Sequence, residues 1–385
     1  MVLEYPFTPP TAVDPPSEWQ ELRATCPVAH VRTASGGEAL LLTRYDDVRT
    51  TITDRRFVRN TPAGGGTMGG FLADDAAHLR WRRLLTRSFT ARRMTALEPG
   101  ITRIAHELTD EMIKSGSPAD LRTMLGFPLP VYVICDLLGV PATDRERFAH
   151  WSDRFLNLTR FPAEEVQQSG RELWDYMRAH VRGKRSAPGD DLLSELVTVV
   201  DSEDGRLSEE ELIFTGQALL VAGHETTANM IGKMLAMLLA RRERWEQLLA
   251  DPNLVPTAVE EVLRFDANLG FGTHRLVTEQ VEIAGTVVEP GTTVLSSMPS
   301  ANRDERVFTE PDEMDLTRSP NPHLTFGAGY HACLGQSLAR VELRTVLSVL
   351  LDRLPTLALA VPVDELRRRE GLLVGGLEEV PVSWS

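Results

Sequence analysis

The feature that most constrains this chain is a long apolar segment that runs from Ser208 to about Ala240. Ser208, followed three residues later by Glu211, forms a capping box, which predicts that a helix begins there. Apolar residues recur on nearly every face of this helix, and a helix that is apolar all round is buried. At about 1.5 Å per residue it would be about 45–50 Å long, so the rest of the fold must be built around it.

The middle of this predicted helix is polar and reads AGHETT over Ala222–Thr227. Buried polar groups cost free energy unless they find partners, so this interruption needs a reason. A structural reason is available, because Thr226 and Thr227 can donate to carbonyl oxygens one turn earlier and merely bend the helix. The pattern alone leaves a functional reason open.

A second informative segment is Phe326–Arg340, which reads FGAGYHACLGQSLAR and contains Cys333 just ahead of a predicted helix. Gly327 and Gly329 allow the backbone to turn tightly and to approach another group closely. The start of a helix favours a thiolate over a thiol, and a thiolate is a good ligand for iron. His331 offers a donor for an anionic group. Taken alone, a lone cysteine at a turn would be interpreted as a small buried apolar residue.

The remaining patterns predict a single, mainly α domain over residues 1–385 with small β sheets. The β regions are expected near the N-terminus, from Ala39 to Leu42, and around 270–295 and 370–385. Helical patterns run from His78 to about Leu263 and from about Leu334 to Leu354. The Pro-rich residues up to Pro16 are expected to lie extended on the surface.

Composition excludes several classes of protein. The formal net charge of −14 argues against general binding to nucleic acid or to an anionic membrane. Three widely spaced cysteines, Cys26, Cys135 and Cys333, can build neither a disulfide framework nor a four-thiolate iron–sulfur cluster. They fit a reducing compartment. Neither a signal peptide nor a transmembrane run is apparent, so we expect a cytoplasmic protein.

The spacing Phe-Gly-x-Gly-x-His-x-Cys-x-Gly-x-x-Leu-Ala-Arg in Phe326–Arg340 resembles the haem-binding signature of the cytochrome P450 family at every defining position. The resemblance covers nearly the whole chain and is to the soluble bacterial members. It implies the cytochrome P450 fold, with haem b between the long central helix and the cysteine-bearing loop and helix. Cys333 would be the axial thiolate ligand of the iron, and the resemblance also places Ala222, Phe326 and Gly335 at the haem.

By the same resemblance, Glu225 and Thr226 correspond to the family's acid–alcohol pair above the haem. Thr226 would hold dioxygen and a water, and Glu225 would help to bring protons from solvent into a dry helix interior. Gly223 is expected to leave room for the oxygen. His224 is expected to face away from the haem and receives no catalytic role.

The basic helix His78–Arg93 would contribute to cofactor binding. His78 and Arg82 lie one turn apart on one helix face, and the resemblance makes both of them ligands of a haem propionate. Arg275 and His331 complete the set of carboxylate donors. The other arginines of the helix either form a solvated face or dock an acidic redox partner, and we favour docking for Arg80, Arg83 and Arg87.

Glu261 and Arg264 form an E-x-x-R pair, which alone would be read as an ordinary surface ion pair. In the family the pair is buried and secures the loop before the cysteine. Members often add an arginine from a later Pro-x-Arg-Phe segment, but here that segment reads PDEM and Glu313 occupies the position. We expect Arg303 or Arg318 to supply the charge instead.

The family's substrate-contact regions map onto a mostly apolar set, although several of its members could equally be core residues. An apolar lining favours a hydrophobic or amphipathic substrate. The predicted substrate-binding residues are Met68, Phe71, Ala218, Val221, Leu269, Phe271 and Leu373.

We therefore predict a haem-thiolate monooxygenase that hydroxylates or epoxidises a small substrate in bacterial secondary-metabolite tailoring. Electrons would come from NAD(P)H through a ferredoxin and its reductase. One alternative uses the same oxidant for oxidative coupling or cyclisation without oxygen insertion. A second is a peroxide-driven peroxygenase, a type that usually lacks the acid–alcohol pair. A remote third is a non-enzymatic zinc protein using Cys333, His331 and His323.

Overall fold

The structure, a computed structural model, describes residues 2–33, 36–59, 75–155, 161–200, 207–266, 273–369 and 375–385. These residues are mainly helical and carry short strands, which confirms the predicted fold class. Within these ranges, no helix is both long enough and apolar enough to cross a membrane.

The helices follow the chain in this order: α1 Glu18–Thr25, α2 Tyr45–Thr53, α3 Asp75–Thr86, α4 Ala91–Ala96, α5 Glu98–Ser115, a π-helical turn Arg122–Gly126, α6 Pro128–Leu137, α7 Arg145–Phe155, α8 Ala163–Ser186, α9 Leu192–Val200, α10 Glu209–Leu239, α11 Arg242–Ala250, α12 Val255–Phe265, α13 Met298–Ala301 and α14 Gln336–Arg353.

The strands are short: β1 Leu3–Tyr5, β2 Val28–Thr33, β3 Glu38–Leu42, β4 Phe57–Arg59, β5 Ala119–Asp120, β6 Thr273–Val277, β7 Val281–Ile283, β8 Thr286–Val288, β9 Thr293–Ser296, β10 Ala358–Leu359, β11 Arg368–Arg369, β12 Gly376–Leu377 and β13 Pro381–Ser383.

The chain divides into two compact units, and the first comprises residues 1–79 and 243–336. Its main sheet has the strand order β1-β2-β3-β9-β6-β4. Side chains alternate across a sheet, and here both faces are covered: Leu40 and Leu42 point into one apolar cluster, whereas Ala39 and Leu41 point into another.

The N-terminal segment departs from expectation. β1 pairs in parallel with β2, and Tyr5 and Phe7 are buried in one of the two apolar clusters with their rings 5.3 Å apart. The expectation that residues up to Pro16 lie on the surface is therefore wrong for these two side chains. Their aromatic area outweighs the polar and Pro-rich context from which the expectation came.

The second unit comprises residues 80–242 and 337–385 and is built on α10. The predicted capping box is confirmed: the Ser208 Oγ accepts from the Glu211 N–H at 3.1 Å, and the Glu211 Oε2 accepts from the Ser208 N–H at 2.6 Å. α6, α8 and the π-helical turn pack against α10. Every residue from Leu212 to Leu239 is buried except Ala218, Ala222, Gly223 and Thr226.

Gly223 has a packing role that the sequence did not indicate. A Cβ atom at this position would lie 2.9 Å from the Ile134 Cδ1 of α6, which is closer than two carbon atoms approach. The absence of a side chain therefore allows α6 to lie against α10. The role of Gly223 in leaving room for oxygen stays a prediction.

Candidate active site

The loop that carries Cys333 has the backbone that its glycines predicted. Gly327 and Gly329 both have positive φ, +68° and +67°, a backbone conformation that residues other than glycine rarely adopt. A Cβ atom on Gly329 would also lie 3.3 Å from the Ile52 carbonyl oxygen. The Cys333 N–H donates to the Phe326 carbonyl at 2.7 Å, which closes the loop.

This backbone leaves the Cys333 side chain exposed rather than buried, so the reading of a small core residue at a turn is wrong. α14 begins at Gln336, three residues after the cysteine and two residues later than predicted. The first N–H groups of a helix have no partner within it and favour a negative charge nearby. The local structure therefore suits an accessible thiolate.

The pair Glu261–Arg264 is fully buried, with both side chains 0% exposed, so the reading as a surface ion pair is wrong. Arg264 binds both oxygens of Glu261, at 2.7 and 2.8 Å, and donates to the carbonyls of Asn302 and Pro311. The Asn302 side chain in turn accepts from the Leu324 N–H at 2.7 Å. The pair thus ties α12 to the segment that leads into the cysteine loop.

The third charge of this network comes from Arg318, one of the two predicted candidates. Its Nε donates to the Glu261 Oε2 at 3.0 Å. The other candidate, Arg303, instead pairs with Asp312 at 3.1 Å and stacks on the Phe265 ring. Although burial opposes ionisation of Glu261, Arg264, the Asp315 N–H and Arg318 hold its pKa below the usual range.

Three of the four predicted donors to the haem carboxylates, His78, Arg275 and His331, belong to the first unit. His78 and Arg275 are buried, and the rings of His78 and His331 are 4.4 Å apart. The fourth, Arg82, follows His78 by one turn of α3, belongs to the second unit and is half-buried. An exposed thiol at a helix start, an arginine and two imidazoles in one unit are the donors that an iron porphyrin with two carboxylates requires. The residues present therefore fit the predicted cofactor.

Helix α10 supplies the other predicted site residues. Ala218, Ala222 and Thr226 follow one another at four-residue spacing, which places them on one face, and none of them is buried. The Thr226 hydroxyl donates to the Ala222 carbonyl at 3.1 Å, as the structural reading predicted, yet the side chain stays exposed. Val221 is buried, so its predicted contact with substrate remains a prediction.

Glu225 lies beside this exposed face but is itself buried. Its Oε1 accepts from the Asn229 side chain at 3.2 Å and from the Arg369 Nη1 at 3.3 Å. Its Oε2 has no hydrogen-bond partner within the described ranges. His224 is buried and its Nδ1 lies 2.9 Å from the Leu220 carbonyl.

Sequence reasoning missed the partners of Glu225. Asn229 could have been found, because it lies four residues along the same helix. Arg369 could not have been found, because 144 residues separate it from Glu225 and nothing in the local pattern pairs them. Of the other predicted residues, Phe326 and Gly335 are half-buried in the cysteine segment. Outside the described residues lie Met68, Phe71, Leu269, Phe271 and Leu373.

The zinc alternative is wrong. Within the part of the chain that the structure describes, no three His, Cys, Asp or Glu side chains form a group that could hold a metal ion. His323, one of the three proposed zinc ligands, pairs with Glu260 at 3.1 Å.

Comparisons with known proteins agree with this geometry. The family model described as Cytochrome P450 matches residues 120–367. The chain is 44% identical over 391 residues to the mycinamicin IV hydroxylase/epoxidase of Micromonospora griseorubida, covering 99% of this chain and 98% of that protein. It is 43% identical over 392 residues to the nocardicin C N-oxygenase of Nocardia uniformis subsp. tsuyamanensis, with the same coverage. A solved putative thioether synthase, from the tailoring step of griseoviridin, superposes with a TM-score of 0.92 at 39% identity over 100% of both chains.

The chain therefore belongs to the cytochrome P450 family, and its fold is the cytochrome P450 fold. It is a monooxygenase, as predicted. Its cofactor is haem b, with electrons drawn from NAD(P)H through redox partners.

Proposed function

We propose that Cys333 is the axial thiolate ligand of the haem iron and that Glu225 and Thr226 supply protons for oxygen activation. One observation carries the second part. Between Leu212 and Leu239, all of which the structure describes, Thr226 is the only polar side chain that is not buried. It stands next to the buried carboxyl group of Glu225.

Cys333 and four basic residues would hold the haem. When bound, haem supplies the oxygen-activating chemistry, which an axial thiolate promotes. The start of α14 favours the charged form of Cys333. The four donors His78, Arg82, Arg275 and His331 bind the two carboxylates of the cofactor.

Thr226 and Glu225 handle protons. The Thr226 hydroxyl gives its hydrogen to the Ala222 carbonyl, so its oxygen keeps lone pairs that accept a hydrogen bond. Glu225 takes up and passes on a proton at its carboxyl group.

Thr226→Ala tests this role. The variant is expected to keep the haem and the substrate affinity, because the side chain contributes no buried contact, but to divert electrons from product into hydrogen peroxide. The product and peroxide formed per NADPH give the result, and Thr227→Ala is the control on the buried side of the helix. Unchanged coupling of electrons to product in Thr226→Ala would contradict the proton role.

The substrate is proposed to be a hydrophobic or amphipathic secondary metabolite, since Ala218 and Ala222 present small apolar side chains on the exposed face of α10. Mycinamicin IV and nocardicin C, named for the two relatives, are the first probes. Binding is read from the haem spectrum, and product formation is compared with NADPH and with hydrogen peroxide. A peroxygenase would turn over with peroxide alone.

Oxidative coupling is a second candidate, because one structural neighbour is a putative thioether synthase. Mass spectrometry of the product separates the two reactions. Gain of one oxygen atom supports hydroxylation or epoxidation, whereas loss of two hydrogen atoms supports coupling.

We also propose a cytoplasmic protein that acts as one domain and receives electrons from a ferredoxin and its reductase. The model match to residues 120–367 includes parts of both units, which supports a single domain. Arg83 and Arg87 are exposed in a chain of net charge −14, which suits docking of an acidic protein. Arg80 instead forms an ion pair with Glu211, so the docking prediction for Arg80 is dropped.

A further inference from the structure

The two-stranded sheet β11–β12 lies directly against the polar centre of α10. β11 contributes Arg369, whose guanidinium reaches the Glu225 Oε1. β12 contributes Gly376, where a Cβ atom would lie 2.3 Å from the Asn229 Oδ1. Both strands therefore meet the pair Glu225–Asn229, one through a charge and the other through the absence of a side chain.

Arg369 joins two carboxyl groups from different helices. Its Nη2 donates to the Asp153 Oδ1 of α7 at 2.9 Å, while its Nη1 donates to Glu225 on α10. The Arg369 side chain is only 8% exposed and that of Glu225 only 3%. A planar guanidinium held at both ends in this way fixes the position of what it binds.

The two oxygens of Glu225 have different surroundings. Oε1 accepts from both Asn229 and Arg369. Oε2 faces the His224 Nε2 at 3.8 Å. The His224 Nδ1 must carry the ring hydrogen, because its partner is the Leu220 carbonyl.

The neutral ring of His224 cannot donate to Oε2. Burial lowers the pKa of His224, so the ring stays neutral and its Nε2 is an acceptor. Two donors thus occupy Oε1, whereas Oε2 remains the oxygen that can take up a proton.

We propose that Arg369 is a positioning residue that anchors Glu225 through Oε1 and thereby reserves Oε2 for proton transfer. The inference rests on the proposed role of Glu225 and names the residue on which that role depends. Other charges also face this cluster. Arg122 on the π-helical turn interacts electrostatically with Glu225, Arg369, Asp153 and Asp120.

The test uses the haem-loaded enzyme with a plant-type ferredoxin, its reductase, NADPH and oxygen, and no organic substrate is added. Oxygen with two electrons and two protons gives hydrogen peroxide, and with four electrons and four protons it gives two waters. Peroxide formed per NADPH therefore reports how well protons are delivered, without a known organic substrate. The variants are Arg369→Gln, Arg369→Lys, Glu225→Gln and the double variant Arg369→Gln/Glu225→Gln. Arg367→Gln is the control, because Arg367 is exposed and donates to the carbonyls of Asp364 and Leu366.

Arg369→Gln is expected to raise the peroxide-to-water ratio about tenfold, the effect of losing one hydrogen bond to a charged group. Arg369→Lys keeps the charge and restores part of the loss, and Arg367→Gln matches the parent. A residue that only stabilised the fold would lower Tm without changing this ratio, and its replacement by lysine would not restore the ratio.

The double variant decides whether Arg369 acts through Glu225. If it does, Arg369→Gln adds nothing to the ratio once Glu225→Gln is present. An unchanged ratio in Arg369→Gln, or an equal rise in both backgrounds, overturns the inference while Glu225 keeps its role. An unchanged ratio in Glu225→Gln overturns the proposed role of Glu225 and this inference with it.

Discussion

Two buried glutamates, Glu261 in the first unit and Glu225 in the second, bind arginine in different ways. Glu261 accepts five hydrogen bonds spread over both oxygens, from Arg264 twice, Asp315, Arg318 and Asn321. Among the described residues, Glu225 accepts two hydrogen bonds, both on Oε1. A buried carboxylate whose lone pairs are all used is held in its charged form, whereas one with an unoccupied oxygen can exchange a proton. Glu261 is therefore a carboxylate that stabilises the fold, whereas Glu225 is suited to proton transfer.

The largest expected loss of stability follows the substitution of Glu261, the glutamate that accepts hydrogen bonds on both oxygens. Glu261→Gln leaves the Arg264 guanidinium buried without its counter-charge, which costs about 3–5 kcal/mol of unfolding free energy. Denaturant unfolding of the haem-loaded enzyme measures this cost. Glu225→Gln is the matched variant and is expected to cost less than half as much, because fewer bonds are lost. Equal losses of unfolding free energy in the two variants would contradict the proposed difference between Glu261 and Glu225.

The next largest expected loss of stability comes from disturbing the contact of β12 with α10. Gly376→Ala places a methyl group against Asn229 and is expected to destabilise the enzyme by about 1–3 kcal/mol, as overpacking does. Asn229→Ala in the same chain should relieve most of that loss. Gly183→Ala on α8 is the control, since a Cβ atom there meets nothing within 4 Å. If Asn229→Ala brings no relief, β12 does not pack against α10 as described.

A third buried glutamate, Glu342 of α14, extends the comparison. Its Oε2 has no hydrogen-bond partner within the described residues, and burial raises its pKa well above the usual range. The folded chain therefore keeps a proton that the unfolded chain releases, so stability falls as pH rises above the ordinary glutamate value of 4.5.

Glu342→Gln removes this dependence. The parent is expected to lose up to about 1.4 kcal/mol per pH unit relative to the variant, the free energy of one unit of pKa. Unfolding free energies of both proteins across the acid-to-neutral range give the difference. Parallel pH curves would show that Glu342 ionises normally in the fold.

Local signals carried most of what could be predicted. The capping box at Ser208 and the glycine turns around Gly327 depend on neighbours within a few residues, and both appear in the structure as expected. The choice between Arg303 and Arg318 was not local. It depends on which guanidinium the fold brings to Glu261, and Phe265 and Asp312 engage Arg303 instead.

The least predictable features join distant parts of the chain. Arg369 reaches Glu225 because β11 pairs with β12 and β12 packs on α10, and no spacing in the sequence encodes that contact. Tyr5 and Phe7 are similar, since the sheet that buries them includes strands from both ends of the first unit.

The most direct test of the central claim, that Cys333 is the axial ligand of the haem, is the absorption spectrum of the reduced enzyme with carbon monoxide. The parent is expected to show the strongly red-shifted Soret band of a thiolate-ligated haem, and Cys333→Ser should lose it. Cys26→Ser is the matched control, because Cys26 is also exposed, and it should keep the band. An imidazole-like band in the parent, or a thiolate band that survives in Cys333→Ser, would contradict the claim.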